Sequence, residues 1–339
     1  MLNANARKNF TASGDAKAEE LLEKVLSEMK ERFSGMELCV VLGGSYGRGD
    51  GGVRQDKENG ILYNDLDFFV FARKKCDNAE ILLKEIAEKY EKVLKVDVDF
   101  SSIMTIGDIK NNAPRLMMQE LKRGYHLVAG EDLLEEYLPE LPAEQLPFSE
   151  ACRLLLNRGM GLLLAGNKIA NKSAEIDFIL RNINKAILGA CDAVLIADRQ
   201  YKWTIKERLN AINNSGLSIA CKNLYCQAVE FKKSPTGEVP DDLDALYLAV
   251  RDMFRECTKH ICRESCAELY LLCQKHGENS LKNYVKYCVK SRTLPLAHWH
   301  YYTMPPVALL ANEVYRALEN MPGKFDVKSK LYQQWLIFN

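Results

Sequence analysis

The stretch "DLDFFVF" at 65–71 places five apolar side chains in seven residues, yet it carries acids at Asp65 and Asp67. Its length and its aromatic and β-branched content suit a strand with an interior face. In a strand, side chains two residues apart point the same way, so both carboxylates stand on one face at one end of an otherwise apolar element. Burying such charges without a partner is costly. The run "VLKVDVDF" at 93–100 repeats the arrangement with Asp97 and Asp99, and the short apolar run "MELCVVL" at 36–42 leads straight into Gly43-Gly44-Ser45. All three runs have strand length and composition.

The segments around these runs define the expected architecture. Residues 15–33 set Leu21, Leu22, Val25, Leu26, Met29 and Phe33 on one helical face, with Ser13 or Asp15 as the cap. Between the second and third strands, "DNAEILLKEIAEKYEKV" has helical spacing at Ile81, Leu82, Ile86 and Tyr90. Strand, loop, strand, helix, strand is an α/β unit. From about residue 149 the pattern changes to long apolar helices, "EACRLLLNRGMGLLLAGNKIA", "SAEIDFILRNINKAILGACDAVLIAD" and "DDLDALYLAVRDMFRECTKHICRESCAELYLLCQKHG". The expected fold class is α+β, with a mixed sheet flanked by helices over residues 1–145 and an all-α bundle over 146–339. The proline-rich "PELPAEQLP" at 139–147 is the expected linker, and "KKSPTGEVPDD" at 232–242 is a second break inside the helical half. A length of 339 residues suits two domains.

Charge and cysteine content narrow the function classes. Lys+Arg and Asp+Glu each number 46, so nothing in the net charge points to a general binder of nucleic acid or membrane surfaces. No apolar run approaches the roughly 18 residues that a membrane span needs, so a cytoplasmic protein without membrane attachment is expected. The 11 cysteines are irregularly spaced, which argues for free thiols rather than a disulfide framework. Cys257, Cys262, Cys266 and Cys273, near His260 and His276, are too spread along a straight helix to close one zinc site, and read as small core residues. His298 and His300 in "HWHYY" have no evident third ligand and read as part of an aromatic segment.

The acids and glycines form a chemical constellation. Carboxylates converging from two strands suit hard divalent cations, and Mg²⁺ favours oxygen ligands. Gly43-Gly44 permits a tight turn, and a helix opening at Ser45 would direct free N–H groups at an anion. The P-loop pattern G-x-x-x-x-G-K-[ST] is absent, so a different phosphate-binding design is required. In the helical half Arg158, Lys168, Arg181 and Lys185 interrupt apolar helices and are candidates to reach a triphosphate, against the commoner reading as solvated faces.

Strand, Gly-Gly-Ser, loop, hydrophobic-Asp-hydrophobic-Asp-hydrophobic and a further Asp on a later strand together resemble the nucleotidyltransferase superfamily typified by DNA polymerase β. The resemblance covers about residues 36–130. "LKRGYHLVAGEDLLEEYLP" at 121–139 is similar to the stretch that closes this domain in small-molecule, aminoglycoside-type nucleotidyltransferases. The resemblance implies that Gly44 and Ser45 hold a nucleoside triphosphate, with ATP the expected donor; Gly43 in the same turn, Arg48 as the nearest cation of the loop and Lys185 from the helical half are the further candidate contacts. It implies that Asp65 and Asp67 coordinate two Mg²⁺ ions and that Asp97, or Asp99 on the same face, is the third carboxylate. The implied reaction moves a nucleoside monophosphate to a hydroxyl of a small-molecule acceptor and releases pyrophosphate. An RNA end or a protein side chain as acceptor, or a nucleotide-binding regulatory module without turnover, are the alternatives. The loop from Tyr46 to Asn64 is longer than the family's usual spacing and leaves the positions of Arg48 and Arg54 open.

Overall fold

In the computed structural model, which describes residues 9–54, 61–74, 79–263, 268–319, 321 and 325–338, the chain is α+β. It divides into two units, residues 1–142 with 230–236, and residues 143–229 with 237–339. In the first unit Asp15 accepts a hydrogen bond from the Ala18 amide and starts α1 (Ala16–Arg32), so the cap is Asp15 rather than Ser13. Strand β1 (Cys39–Leu42) leads into the one-turn helix α2 (Gly44–Gly47), and the short hairpin β2 (Val53–Arg54) and β3 (Ile61–Leu62) follows. Next come β4 (Leu66–Ala72), α3 (Ala79–Leu94), β5 (Val98–Phe100), β6 (Met104–Thr105), α4 (Ile106–Asn112), α5 (Leu116–Arg123), β7 (His126–Ala129) and α6 (Leu133–Tyr137).

The main sheet is mixed, in the order β5-β4-β1-β7, with β6 also on β4. Strand β1 runs antiparallel to β4 and β7, while β5 and β6 run parallel to β4. One face, with Val40, Leu42, Phe68 and Val70, packs under α1 and α3 through Leu22, Val25, Met29, Ile86 and Tyr90. The other face, with Cys39, Val41 and Phe71, packs under α4, α5 and α6 through Ile109, Met118, Leu121, Leu133 and Leu134. Because side chains alternate along β4, Asp67 shares this second face with Phe69 and Phe71.

Two expectations about this unit need correction. The run 93–100 is not one strand, because α3 continues to Leu94 and the chain reverses at Lys95, with φ 60°. On α3 the buried residues are Ala79, Leu83, Ile86, Tyr90 and Leu94, whereas Ile81 is 73% exposed. The stripe Leu83, Ile86, Tyr90, Leu94 follows i, i+3, i+7, i+11 and is the better 3.6-residue face.

The second unit is helical: α7 (Phe148–Ala170), α8 (Ile176–Ala197), α9 (Ile205–Asn213), α10 (Ile219–Lys233), α11 (Leu243–Cys262), α12 (Leu269–Lys275), α13 (Leu281–Ser291), α14 (Trp299–Tyr302), α15 (Pro306–Glu319) and α16 (Lys330–Phe338). The last residues of α10 belong to the first unit. Helices α7, α8, α11 and α15 pack on one another, and Gly159 lies against Val314 and Phe254 where side chains would separate them. The long helix expected over 241–277 is interrupted, since α11 ends at Cys262 and Arg263 takes a left-handed φ of 54°. No helix among the described residues is long and apolar enough to cross a membrane.

Gly130 closes the turn after β7 with φ +82°, and a Cβ there would lie 1.8 Å from the Leu38 carbonyl oxygen. The backbone conformation alone costs a non-glycine residue about 1–2 kcal/mol, and the overlap adds to it. Thermal denaturation of Gly130→Ala should show a midpoint at least about 4 °C lower. An unchanged midpoint would mean that the turn rearranges without cost.

Candidate functional site

The sheet edge where β1 ends and β4 begins gathers most of the residues singled out in the sequence. The ladder between β1 and β4 pairs Val41 with Phe69 and Leu42 with Phe68, and the Gly43 amide extends it by donating to the Asp67 carbonyl at 2.8 Å. Gly43 is wedged against Phe69 and Leu121, with a hypothetical Cβ only 2.6 Å from Leu121 Cδ1. Gly44 follows in the left-handed region, φ +61°, and a Cβ there would lie 2.1 Å from Asp67 Oδ2. The backbone of the glycine turn therefore lies directly against the Asp67 carboxylate. A side chain at position 44 would occupy that contact.

On the other side of Asp67, the parallel register sets Asp99 beside it, with Leu66 opposite Val98 and Phe68 opposite Phe100. Register partners share a face and lie about 4.8 Å apart across the ladder. Asp65 precedes β4 by one residue and continues the same face. Asp97 lies just before β5, where its carbonyl accepts from the Leu66 amide at 2.9 Å. Asp65 and Asp67 are half-buried; Asp97 and Asp99 are exposed. Of the two candidates for a third carboxylate, Asp99 is the one in register with Asp67. Among the described residues no three His, Cys, Asp or Glu side chains gather as a metal-holding group.

Ser45 lies within α2, which spans four residues from Gly44 rather than starting at Ser45. One turn has almost no dipole, and what it offers is its first backbone N–H groups, since the first amides of a helix lack intrahelical acceptors. The turn closes through Gly47 N–H to the Gly43 carbonyl at 2.7 Å and Asp50 N–H to the Ser45 carbonyl at 2.9 Å.

Of the long loop from Tyr46 to Asn64, residues 55–60 lie outside the described residues, and the described parts meet at Tyr46, which is fully buried. Its hydroxyl donates to the Gly52 carbonyl at 2.9 Å and accepts from the amides of Tyr63 at 3.0 Å and Asn64 at 3.3 Å. Asn64 Oδ1 accepts from the Gly52 amide at 2.8 Å, so the two ends of the loop are joined before β4 begins. Arg48 directs Nη1 at Glu120 Oε2, 3.5 Å away, and Nε at Asp50 Oδ2, 3.9 Å away. Lys232 Nζ reaches the same Asp50 oxygen at 3.8 Å, and Phe231 meets the Tyr63 ring edge-on at 5.8 Å. In this arrangement Arg48 braces the loop. Arg54 is buried on β2.

Tyr46, Asn64, Glu120 and Lys232 were not legible as parts of this region. Tyr46 in "GGSYG" looks like an ordinary core aromatic, and Lys232 lies far along the chain with no spacing to connect it. Lys185, expected at the triphosphate, is half-buried on α8 in the second unit. Two of the other helical cations have local contacts: Lys168 pairs with Glu175 and lies over the Phe178 ring, and the Arg158 stem packs on Gly189.

Among the described cysteines, Cys39, Cys152, Cys191, Cys221, Cys257 and Cys273 are buried, Cys262 and Cys288 partly so, and Cys226 is exposed. Cys257 and Cys273 are buried, each within 4.0 Å of another thiol, Cys191 and Cys152 respectively. Burial pushes the thiols of Cys39 and Cys262 up to about 11 and that of Cys152 up as well, away from metal-binding thiolate. Cys266 lies outside the described residues. His276 stacks on Phe148 at 4.9 Å, and burial together with Arg199 holds it below its ordinary pKa. His300 lies against Tyr301.

No protein-family model matches the sequence, and no curated protein matches it significantly.

Replacing Tyr46 by Phe keeps the ring and removes the hydroxyl that joins the loop ends. Leaving buried partners unsatisfied costs about 1–3 kcal/mol, so amide exchange at Tyr63 and Asn64 should be at least about fivefold faster in Tyr46→Phe. Unchanged exchange would show that the loop is held by other contacts.

Proposed function

We propose that the chain is a metal-dependent nucleotidyltransferase, moving a nucleoside monophosphate from an NTP, with ATP the expected donor, to a hydroxyl of a small-molecule acceptor. The observation that carries this reading is the contact of the Gly44 backbone with the Asp67 carboxylate. It supports a site where a phosphate held by the glycine turn and a cation held by the aspartates are neighbours. The motif resemblance to the superfamily of DNA polymerase β is consistent with this arrangement, as is a mixed sheet with its acids at one edge.

The residues fit Mg²⁺ in donor chemistry. Asp65, Asp67 and Asp99 offer hard oxygens on one face, and Mg²⁺ retains waters and takes substrate phosphates into its shell rather than requiring an all-protein cage. Two such ions, when bound, would offset charge on the attacking and leaving oxygens of an in-line displacement.

The chain's own part is positional and acid–base. The amides of Gly44 and Ser45 face phosphate oxygens, and the absence of a Cβ at position 44 keeps the approach to Asp67 open. The acceptor oxygen forms a bond to the α-phosphorus while the α–β bridging bond breaks, and its electron pair leaves with pyrophosphate. The hydroxyl proton passes to the third carboxylate, assigned here to Asp99 on its register with Asp67, in preference to Asp97. The equal numbers of acidic and basic residues support a small acceptor over a polynucleotide.

The test is pyrophosphate release from labelled NTPs with Mg²⁺ and a panel of hydroxyl acceptors. Loss of a metal-holding carboxylate removes several kcal/mol of charge stabilisation, so Asp67→Asn should fall by at least about 10³-fold. Asp99→Asn should fall similarly and Asp97→Asn much less. No release with any acceptor, or equal rates in Asp67→Asn, would defeat the reading.

A further inference from the structure

The second unit contains a cavity of about 410 Å³ between α12, α13, α14, α15 and α16. That volume is within the range of small-molecule sites. Four tyrosines line it. Tyr270 and Tyr301 lie with centroids 5.0 Å apart, their hydroxyls 3.1 Å from each other. Tyr287 and Tyr302 lie 4.1 Å apart, and Tyr287 stacks in turn on Phe338 at 5.6 Å. The rings are thus braced by neighbours rather than loose, and Gln334 Nε2 fixes the Tyr287 hydroxyl at 3.0 Å. Rigid aromatic walls favour a flat ring, which gains offset-stacked or edge contacts beyond simple burial.

Charge selects among flat ligands. The cavity is lined by Glu313, Arg316 and Lys330. Glu313 is engaged by Arg316, Nη1 to Oε1 at 2.7 Å, so the lining has one positive charge in excess. Positions 281–303 of the chain hold Lys282, Lys286, Lys290 and Arg292 and no acid, while Glu268 stands against the Tyr270 hydroxyl, so the positive excess is local to Arg316 and Lys330 rather than general. At Lys330 an organic cation would meet a like charge. An anion on a flat ring meets both elements.

We propose that this cavity is a binding site for a planar aromatic molecule bearing an anionic group, a phosphate or carboxylate, with the ring among the four tyrosines and the anion at Arg316 and Lys330. The assignment stands independently of the nucleotidyltransferase reading. Two sources share this chemistry, nucleoside monophosphates and aromatic carboxylic acids.

Isothermal titration of the full chain in EDTA with AMP, UMP and 2-naphthoate tests it, with adenosine and inorganic phosphate as the half-ligands. At least one of the three complete probes should bind saturably and more tightly than either half. A hydrogen-bonded ionic contact is worth about 1.5–3 kcal/mol, so the Arg316→Gln/Lys330→Gln double variant should weaken that probe by at least about tenfold. Tyr301→Leu should weaken it as well, with circular dichroism confirming that each variant is folded, while Asp67→Asn should bind as the parent does. Binding of a nucleotide alone or of naphthoate alone identifies the source and supports the site. The proposal is overturned if none of the three binds, if the folded charge variant binds undiminished, or if Asp67→Asn abolishes binding.

Discussion

The first unit depends on how closely two backbone segments approach where β1 ends. The Gly43 amide bonds the Asp67 carbonyl, and the next residue turns with φ +61° against the Asp67 side chain. Only a residue without Cβ permits both. The surrounding structure follows from this contact. Leu121 and Phe69 close over Gly43, the one-turn helix is too short to wander, and the Tyr46 hydroxyl, two residues later, holds both ends of the loop that returns the chain to β4.

The acids at this edge are tolerated because the sheet is covered unevenly. Helices α4, α5 and α6 bury the Phe71 end of the face, while Asp67 keeps partial access to solvent and Asp99 is exposed. Neighbouring carboxylates at strand spacing repel by on the order of 1 kcal/mol in water and more as solvent is excluded. The proposed cation would relieve that repulsion. The helical unit handles its buried charge differently, by internal pairing. Arg208 is buried against Asp192 at 3.2 Å and donates to the Tyr201 hydroxyl and the Lys202 and Trp203 carbonyls, and Tyr225 donates to the same Asp192.

Much of the edge was legible because strand alternation and glycine act locally. β1, β4 and α1 could be read from a few adjacent residues, with the α1 cap narrowed to Ser13 or Asp15, as could the shared face of Asp65 and Asp67. The register could not, since pairing Asp99 rather than Asp97 with Asp67 depends on where α3 stops, and Lys95 sets that with a left-handed turn that carries no glycine signal. Strand β7 was missed because its four residues, "HLVA", are too short to show alternation. The association of residues 230–236 with the first unit is a long-range contact that no local pattern encodes. Of the tyrosine cavity only "HWHYY" stands out in the sequence, as an aromatic segment, and Tyr270 and Tyr287 join it only through packing.

The central claim is that the glycine turn and the aspartates form one metal–phosphate site. Paramagnetic relaxation by Mn²⁺, added with a non-hydrolysable NTP analogue to isotopically labelled protein, tests it most directly. Broadening should centre on the amides of Gly43, Gly44, Ser45, residues 65–67 and residues 98–100, and should require the nucleotide for full effect. Broadening centred elsewhere in the chain, or none at saturating analogue, would contradict the account.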